Sequence, residues 1–349
     1  MLLADFIRQG TEALAALYPE PEARSLMLLL CEERLGVSRH AYLTEPLQEI
    51  PVASMKADLA RLCAGEPLQY VLGYADFYGR RFQVSPSVLI PRPETEYLCH
   101  TILSRKRAVP SAGTPSVSFT ETREYALSTE GVPAVPDSTP TSSQDKREYA
   151  LSTEGVPGAS ESGAAAPVHI IDLCTGSGCI AWTMAAEIPG AAVTGVDISE
   201  QALAVARAQR PGAAPAPGRP HKPDDIPAPD FMLADILQDP PAGLAPGTFD
   251  LLTANPPYVM DRERAAMRPN VLEHEPALAL FVPDRDPLVF YRAVARWALL
   301  LLRPGGRGYA EINALLGPET AAVFRDAGLS GVALLEDLAG APRFVRFWK

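Results

Sequence analysis

Short apolar runs and segments with a helical pattern alternate along the second half of the chain. Five runs have the length and composition of buried strands, at residues 168–173, 192–196, 230–234, 249–254 and 307–312. Helical patterns occur at 180–187, 200–209 and 288–302, and two further strand-like runs follow at 332–335 and 344–348. Strands that alternate with helices pair in parallel, and the helices cover both faces of the sheet. This half is therefore expected to fold as an α/β domain.

The first 107 residues divide into three parts by their pattern. Residues 1–75 place apolar side chains three and four positions apart, which predicts a small all-α bundle. Residues 76–90 change to a strand pattern around a glycine turn and predict a β-hairpin. Proline followed by acidic residues at 91–96 is typical of a helix start, so we expect 91–107 to join 167–349 in the α/β domain. The hairpin would then link two domains.

Residues 108–166 interrupt the α/β pattern with a low-complexity composition rich in Pro, Ser, Thr, Gly and Ala. The segment 123–133 is repeated identically at 147–157. Such a composition buries too little apolar surface to offset the entropy lost on ordering, which predicts a disordered insertion. The alternative is a partner-binding segment built on the two Tyr-Ala-Leu copies. A shorter loop rich in Pro and Ala is predicted at 211–229.

The overall charge disfavours nucleic acid as a direct partner. The chain has 31 Lys and Arg against 42 Asp and Glu, a formal net charge of −11, which gives no general attraction to phosphate backbones. Its five cysteines lack the spacing of zinc ligands, so we predict no metal site. The longest apolar runs fall short of the roughly 20 residues that span a bilayer, and the first residues lack a signal-peptide pattern. We therefore expect a cytoplasmic protein without membrane contact.

A glycine turn follows the strand at 168–173 and is a candidate cofactor loop. Gly176 and Gly178 allow positive φ and a close approach of the backbone to a ligand. Asp197 closes the next predicted strand, where its carboxylate can accept hydrogen bonds from a ribose diol. Gly176-x-Gly178-x-x-Ala181 also satisfies the dinucleotide fingerprint, which leaves two interpretations open. The acid at Asp172 favours the Asp-x-x-x-Gly-x-Gly form, which is similar to motif I of S-adenosylmethionine-dependent methyltransferases.

Asn255-Pro256-Pro257-Tyr258 follows the apolar run at 249–254, at the sheet edge where α/β proteins bind ligands. The tetrapeptide resembles the motif of methyltransferases that act on a planar nitrogen, in a nucleobase or a carboxamide. The Asn255 side-chain oxygen and the Pro256 carbonyl can accept both N–H bonds of that nitrogen and favour its pyramidal transition state. The prolines fix the carbonyl direction, and Tyr258 offers a face for stacking.

Several spaced segments resemble the protein-(glutamine) methyltransferase family that acts on class 1 peptide chain release factors. They lie at 65–73, 77–79, 88–96, 255–259, 275–280, 304–306 and 311–312. The resemblance implies a Rossmann-like, seven-stranded class I methyltransferase domain with an N-terminal all-α bundle that grips the release factor. It further implies methyl transfer from S-adenosyl-L-methionine to the side-chain amide of the glutamine in a Gly-Gly-Gln motif, with S-adenosyl-L-homocysteine as product. We expect a monomer.

The same resemblance assigns the site residues. Those expected to bind the cofactor are Asp172, Cys174, Thr175, Gly176, Ser177, Gly178, Asp197, Asp235, Ile236 and Asn255. The substrate glutamine is expected to contact Asn255, Pro256, Pro257 and Tyr258, of which Asn255, Pro256 and Tyr258 are assigned to catalysis. The family commonly continues Glu-Ile-Gly, followed by Gln, where this chain has Glu311-Ile312-Asn313. The role of that strand end is therefore open.

Three other functions remain possible on the sequence. The related enzyme that methylates a glutamine of a ribosomal protein tends to carry Pro-Arg-Ser-Pro where this chain has Pro91-Arg92-Pro93-Glu94, so it is disfavoured. Amino-methylation of DNA or RNA uses the same tetrapeptide but is expected to bring a basic recognition domain, which the acidic balance argues against. A nonenzymatic nucleotide-binding or scaffold protein would leave Asn255 without a task.

Overall fold

The computed structural model describes residues 1–38, 40–44, 48–106, 167–211 and 226–349. These residues fall within one compact unit. The insertion predicted at 108–166 and most of the loop predicted at 211–229 lie outside the described residues, so their disorder stays a prediction. None of the described helices is long and apolar enough to cross a lipid bilayer.

The N-terminal region is helical, as predicted. Its helices are α1 (Leu3–Leu14), α2 (Glu20–Leu35), α3 (Ala41–Thr44), α4 (Val52–Cys63) and α5 (Leu68–Leu72). They enclose a core of their own, in which Phe6, Leu14, Met27 and Leu30 are almost fully buried. Helix α2 ends at Gly36, whose φ of 66° is the left-handed conformation that commonly follows a helix. The boundary expected at residue 75 stays a prediction, because the bundle and the rest of the described chain form one unit.

The hairpin predicted at 76–90 is present but lies at 74–83, where β1 (Tyr74–Phe77) and β2 (Arg80–Gln83) pair antiparallel. Tyr78 and Gly79 connect them with φ values of 49° and 69°, as a two-residue hairpin turn requires. Phe77 and Phe82 pack edge to face at 5.9 Å between ring centroids. Both rings belong to the core beneath the large sheet, so the hairpin and the following helix α6 (Pro93–Lys106) are anchored to the α/β part of the molecule.

Seven strands form one sheet and confirm the predicted fold class. Four parallel pairs join neighbours among the first five strands, and the last two are antiparallel. The strands are β3 (Val168–Leu173), β4 (Ala191–Asp197), β5 (Asp230–Leu233), β6 (Phe249–Ala254), β9 (Leu302–Glu311), β10 (Ser330–Glu336) and β11 (Pro342–Trp348). Two short strands, β7 (Val259–Met260) and β8 (Phe281–Val282), pair separately. The order across the large sheet is β10-β11-β9-β6-β3-β4-β5.

Helices cover both faces of this sheet. Helix α6 and α7 (Cys179–Glu187) contribute to one core, and α11 (Val289–Leu301) and α12 (Gly317–Asp326) to the other, while α8 (Glu200–Ala208) packs against β4 and β5. Two short helices, α9 (Pro269–His274) and α10 (Ala277–Leu280), lie between β7 and α11 in the chain. Successive residues of a strand point to opposite faces, and Ile170 and Ile171 accordingly enter two different cores. One contains Trp297 and Phe324 and the other Ile180. Helices α9, α10 and α12 were not predicted from the sequence.

The central strands create the place for a ligand. After β3 the chain builds β4 and β5 on one side and then returns to add β6 on the other side. Ligands bind at the carboxyl ends of the strands where an α/β sheet reverses its order in this way. Leu173 and Ala254 are paired at these two ends, so Cys174 and Asn255 start the next segments side by side. The predicted cofactor loop and the tetrapeptide therefore meet.

Candidate active site

A cavity opens at the reversal point of the sheet. It is lined by Ser87, Val88, Leu89, Ile90, Pro91, Arg92, Thr95, Cys174, Thr175, Gly176, Ser177, Cys179, Ile180, Asp197, Ile198, Ser199, Ala202, Ala234, Asp235, Ile236, Leu237, Asn255, Pro257, Pro276, Leu278, Ala279 and Phe290. Nine of the predicted site residues are in this lining: Cys174, Thr175, Gly176, Ser177, Asp197, Asp235, Ile236, Asn255 and Pro257. Asp172, Gly178, Pro256 and Tyr258 were also predicted but do not line the cavity.

The two glycines of the turn serve different needs. Gly176 has φ 55°, and a Cβ added there would meet no atom within 4 Å, so its requirement is conformational. Gly178 has φ 78°, and an added Cβ would lie 3.1 Å from the Cβ of Ala206 and 3.1 Å from Cδ1 of Trp182. Gly178 therefore also permits α7 to pack closely against α8, although it lies behind the cavity wall.

Asp197 fits the ribose of a nucleoside cofactor. Its Oδ2 accepts a hydrogen bond from the Gly176 N–H at 2.8 Å, and its Oδ1 accepts one from the Ser199 N–H at 2.9 Å. Burial raises the pKa of the Asp197 carboxyl, and the backbone N–H groups act in the opposite direction. Each carboxylate oxygen can accept a second hydrogen bond, so a vicinal diol in the cavity would find two acceptors. The residues present therefore fit S-adenosylmethionine.

Asp172 lies behind the glycine turn and supports it. The carboxyl is fully buried, and its two oxygens accept hydrogen bonds from the hydroxyls of Thr175 at 2.6 Å and Thr253 at 2.7 Å. Burial raises the pKa of Asp172 to about 7, against the effect of these two hydroxyls. Since Thr175 is in the turn and Thr253 is on β6, Asp172 ties the cofactor loop to the strand that carries the tetrapeptide.

The segment after β5 forms an apolar wall of the cavity. Ile236 is 4% exposed, and Asp235 accepts a hydrogen bond from the Leu237 N–H at 2.9 Å, which shapes the turn. Arg296 on α11 donates to the backbone carbonyls of Ile236, Leu237 and Gln238 at 3.1, 3.0 and 2.7 Å. Arg296 also lies 3.6 Å from the Asp239 carboxylate. It was not predicted from the sequence, because no motif marks a cation whose hydrogen bonds go to backbone carbonyls.

The tetrapeptide is held by a chain of side-chain hydrogen bonds. Asn255 Nδ2 donates to Thr95 Oγ1 at 3.0 Å, and the Thr95 hydroxyl donates to Glu311 Oε2 at 2.6 Å. The Tyr258 hydroxyl donates to the other oxygen, Glu311 Oε1, at 2.8 Å. Burial raises the pKa of Glu311, while the two hydroxyls oppose that shift. Thr95 and Glu311 were not among the predicted site residues, although both lie in segments that resemble the family.

Asn313, where the chain departs from the family pattern, also holds the tetrapeptide. Its Nδ2 donates to the backbone carbonyl of Tyr258 at 3.0 Å and to Glu263 Oε2 at 2.8 Å. Its backbone N–H donates to the Tyr291 hydroxyl at 2.9 Å. A glycine at this position could make only the backbone contact, so the substitution adds an attachment for the carboxyl end of the tetrapeptide.

The opposite wall of the cavity is held by an ion pair between the buried Glu275 and the partly exposed Arg92. Glu275 has a side chain that is 1% exposed; its Oε1 lies 2.5 Å from Arg92 Nη2, and its Oε2 accepts from the Ile90 N–H at 3.2 Å. Gln209 makes a similar link between the hairpin and the glycine turn: its amide bonds both backbone groups of Gln83 and the carbonyl of Ser177. Neither link has a sequence signature.

Family comparisons extend over both parts of the described chain. Residues 5–73 match the family described as PrmC N-terminal domain, and residues 163–274 match the methyltransferase small domain. A release factor glutamine methyltransferase of Bacteroides thetaiotaomicron is 31% identical over 344 residues, which cover 97% of this chain and 96% of the relative. The chain belongs to the release factor glutamine methyltransferase family.

A second member of this family, from Cereibacter sphaeroides, is 32% identical over 347 residues and covers 99% of this chain and 98% of its own length. Among solved structures, TrmN from Thermus thermophilus is 25% identical and has a TM-score of 0.33. The similarity covers 53% of this chain and 44% of TrmN. The full-length relatives confirm the resemblance predicted from the spaced motifs. The ribosomal-protein alternative is not favoured by the relatives.

Proposed function

We propose that this protein transfers a methyl group from S-adenosyl-L-methionine to the side-chain amide nitrogen of the glutamine in the Gly-Gly-Gln motif of class 1 release factors. The main support for the proposal is the orientation of the Asn255 side-chain amide, whose oxygen is left free by the described residues to accept a hydrogen bond beside the cavity. Its nitrogen is engaged by Thr95, and no donor among the described residues reaches Oδ1. Full-length relatives named release factor glutamine methyltransferases support the same function.

The cofactor would be held by residues that line the cavity. The Asp197 carboxylate would accept the ribose hydroxyls, Ile198 and Ile236 would cover the adenine, and the backbone of 174–177 would follow the amino-acid end. When bound, S-adenosylmethionine supplies a methyl group activated by a sulfonium, and S-adenosylhomocysteine is left after transfer. Asp172 does not line the cavity and would support cofactor binding indirectly, because its hydrogen bond with Thr175 holds the glycine turn in place.

The glutamine amide is a poor nucleophile because its nitrogen lone pair is delocalised into the carbonyl. Oδ1 of Asn255, a residue that lines the cavity, would accept one of its N–H bonds and thereby stabilise a pyramidal nitrogen, in which the lone pair is available. The Pro256 carbonyl is proposed as the acceptor of the second N–H bond, although Pro256 is buried outside the cavity lining. That lone pair would form the new N–C bond while the C–S bond of the methyl donor breaks and leaves the thioether, and one amide proton would pass to solvent water. Fixed acceptors are well suited to this task because they need no reorganisation during the reaction.

Tyr258 would act differently from the sequence prediction. Its hydroxyl is bonded to Glu311, and it does not line the cavity, so we propose that it positions the network and does not stack on the substrate.

A second groove offers a route for the release-factor loop. It lies between the helical bundle and the segment after the hairpin, and it shares Ile90, Pro91 and Arg92 with the cofactor cavity. Its remaining lining residues are Leu29, Glu33, Leu68, Gln69, Leu72, Tyr74, Ala75, Asp76, Pro93 and Glu96. On this proposal residues 1–75 hold the release factor, 76–90 link the two parts, and 91–107 with 167–349 perform the transfer.

The test is a labelling assay with methyl-labelled S-adenosylmethionine. The protein is expected to label a release factor that carries Gly-Gly-Gln, and Asn255→Ala should lower turnover by about 100- to 1,000-fold, the size seen when one fixed hydrogen-bonding group of a transition state is lost. Asn270→Ala, a matched change on α9 outside the cavity lining, should keep full activity. Label in bulk DNA or ribosomal protein, with none in the release factor, would refute the proposal.

A further inference from the structure

We propose that Thr95 and Glu311 fix the orientation of the Asn255 amide and so make the site select a glutamine side chain over a glutamate side chain. This inference rests on the proposed function and adds to it two positioning residues that determine specificity.

The direction of the hydrogen bonds follows from the chemistry of the three groups. A threonine hydroxyl has one hydrogen, and a carboxylate is only an acceptor. The Thr95 hydroxyl lies 2.6 Å from Glu311 Oε2 and donates its hydrogen there. Toward Asn255, 3.0 Å away, Thr95 can therefore only accept. The Asn255 atom that faces Thr95 must be the nitrogen, and Oδ1 is left to accept from a ligand.

The surroundings prevent this arrangement from reversing. Thr95 is 2% exposed and Glu311 is 1% exposed, so water does not supply alternative partners. The second Glu311 oxygen is occupied by the Tyr258 hydroxyl at 2.8 Å, which opposes rotation of the carboxylate. The participants come from α6, from the segment after β6 and from the end of β9. The orientation of Asn255 is thus set by the packing of three separate elements.

A fixed acceptor distinguishes two side chains that have the same shape. The glutamine amide presents N–H donors to Asn255 Oδ1, whereas a glutamate carboxylate presents only lone pairs and would leave two acceptors facing each other. Sites built to bind a donor reject an isosteric group without one, since a polar group in the site is then left unpaired. If the Asn255 amide could turn, its NH2 group would instead donate to a glutamate, and the discrimination would fall.

The test compares Thr95→Val with Thr95→Ser. Turnover is measured on a Gly-Gly-Gln release factor, and competitive inhibition is measured with the same release factor carrying Gly-Gly-Glu. We expect Thr95→Val to lower kcat about 100-fold and to tighten inhibition by the Gly-Gly-Glu form about 10-fold, the sizes typical of one lost or gained hydrogen bond to a charged or reacting group. Thr95→Ser keeps the hydroxyl and should stay within about 3-fold of wild type on both measures.

Thr320→Val is the matched control, because the Thr320 hydroxyl is buried on α12 and has no hydrogen-bond partner among the described residues. It should change neither measure. The dissociation constant of the cofactor should stay within about 3-fold in every variant, since the Thr95 hydroxyl bonds to Glu311 and Asn255 and, among the described residues, not to Asp197 on the ribose side. If Thr95→Val fails to fold, Glu311→Gln replaces it: the new amide can donate to Thr95, which would then donate to Asn255 Oδ1 and reverse the chain.

The outcomes separate the inference from the proposed function. Wild-type protein that does not methylate the Gly-Gly-Gln release factor refutes the proposed function. Wild-type protein that does so, together with a Thr95→Val variant that has lost turnover without tighter inhibition by the Gly-Gly-Glu form, overturns the inference alone. A Thr95→Val or Glu311→Gln variant with wild-type turnover and inhibition overturns it as well. A general structural defect would weaken binding of both forms of the release factor. Lower turnover on the Gly-Gly-Gln form together with tighter inhibition by the Gly-Gly-Glu form is therefore specific to a change in the orientation of Asn255.

Discussion

Two buried carboxyls support the two halves of the candidate active site, the glycine turn and the tetrapeptide. Asp172 supports the cofactor loop and accepts hydrogen bonds from the hydroxyls of Thr175 and Thr253 at 2.6 and 2.7 Å. Glu311 supports the tetrapeptide and accepts from the hydroxyls of Thr95 and Tyr258 at 2.6 and 2.8 Å. In both cases burial raises the pKa of the carboxyl, and hydroxyl donors compensate part of that shift.

The two carboxyls differ in where their partners come from. Thr175 is three residues after Asp172, and Thr253 is its direct neighbour on the paired strand β6. The partners of Glu311 are 216 and 53 residues away, and Thr95 is on a helix that follows the hairpin. The cofactor half is therefore built into the sheet itself, whereas the substrate half depends on how α6 and the tetrapeptide dock onto β9. Substitutions in the two halves should affect different measurements.

Of the substitutions that distinguish the two halves, Asp172→Ala is expected to have the largest effect. Removal of the carboxyl leaves two buried hydroxyls without an acceptor and should lower the free energy of unfolding by about 2–4 kcal/mol. Because the turn loses its support, we expect the cofactor to bind about 100-fold more weakly, while kcat at saturating cofactor changes less. Calorimetric titration and steady-state kinetics measure the two effects. A variant with unchanged cofactor affinity would show that Asp172 does not support the loop.

The pKa of Asp172 predicts how stability depends on pH. The pKa is raised from 3.8 to about 7 in the folded protein, so the folded state holds its proton more tightly than the unfolded state. The contribution to stability is therefore full below pH 3.8 and is lost as pH rises through about 7. Asp172→Asn should flatten the decline of the unfolding free energy over this interval, as measured by denaturation in urea at several pH values. An unchanged slope would contradict the assigned pKa.

A smaller effect is expected for Asn313→Gly, which restores the residue common in the family. The Tyr258 carbonyl and Glu263 lose their side-chain donor, so the carboxyl end of the tetrapeptide is held less firmly. We expect kcat to fall about 10-fold, with cofactor affinity within about 2-fold of wild type. Equal losses in cofactor affinity and kcat would mean that Asn313 supports the whole site and not the substrate half.

The smallest effect is expected for Tyr258→Phe. The change removes one of the two hydroxyls on Glu311 and leaves the Thr95 link that orients Asn255. We expect kcat to fall about 3-fold and the selectivity for glutamine to stay at the wild-type level. A loss in kcat as large as that of Thr95→Val would contradict this minor role of the Tyr258 hydroxyl.

The sequence predicted the strands and the glycine turn of the proposed cofactor half because the information for them is local, whereas the cofactor contacts themselves stay a prediction. A strand, a turn with Gly176 and Gly178, and an acid at the end of the next strand are contiguous signals, and the segments fold as expected. The strand predicted at 307–312 was wrong in its start, because β9 begins at Leu302. The pairing with β6 shifts register in this part of β9, and Gly305 has φ 78°, so the strand continues through a Pro-Gly-Gly sequence whose residues are uncommon in strands.

The support of the substrate half could not be predicted in the same way. Thr95 and Glu311 meet only after α6 packs on β9, and the pattern of either segment alone gives no sign of that contact. Asn313 was recognised as a departure from the family, but its bond to the Tyr258 carbonyl depends on the path of the chain after β9. Helix α12 was missed even though Pro318 stands in its first turn, where proline is favoured.

The proposed methyl transfer to the release-factor glutamine is tested most directly by locating the methyl group on the product. A Gly-Gly-Gln release factor is incubated with the wild-type protein and S-adenosylmethionine, digested, and analysed by fragmentation mass spectrometry. The account predicts a single added methyl group on the side chain of that glutamine, and its absence with Asn255→Ala. A methyl group on any other residue, or a wild-type reaction that leaves the glutamine unmodified, would contradict it.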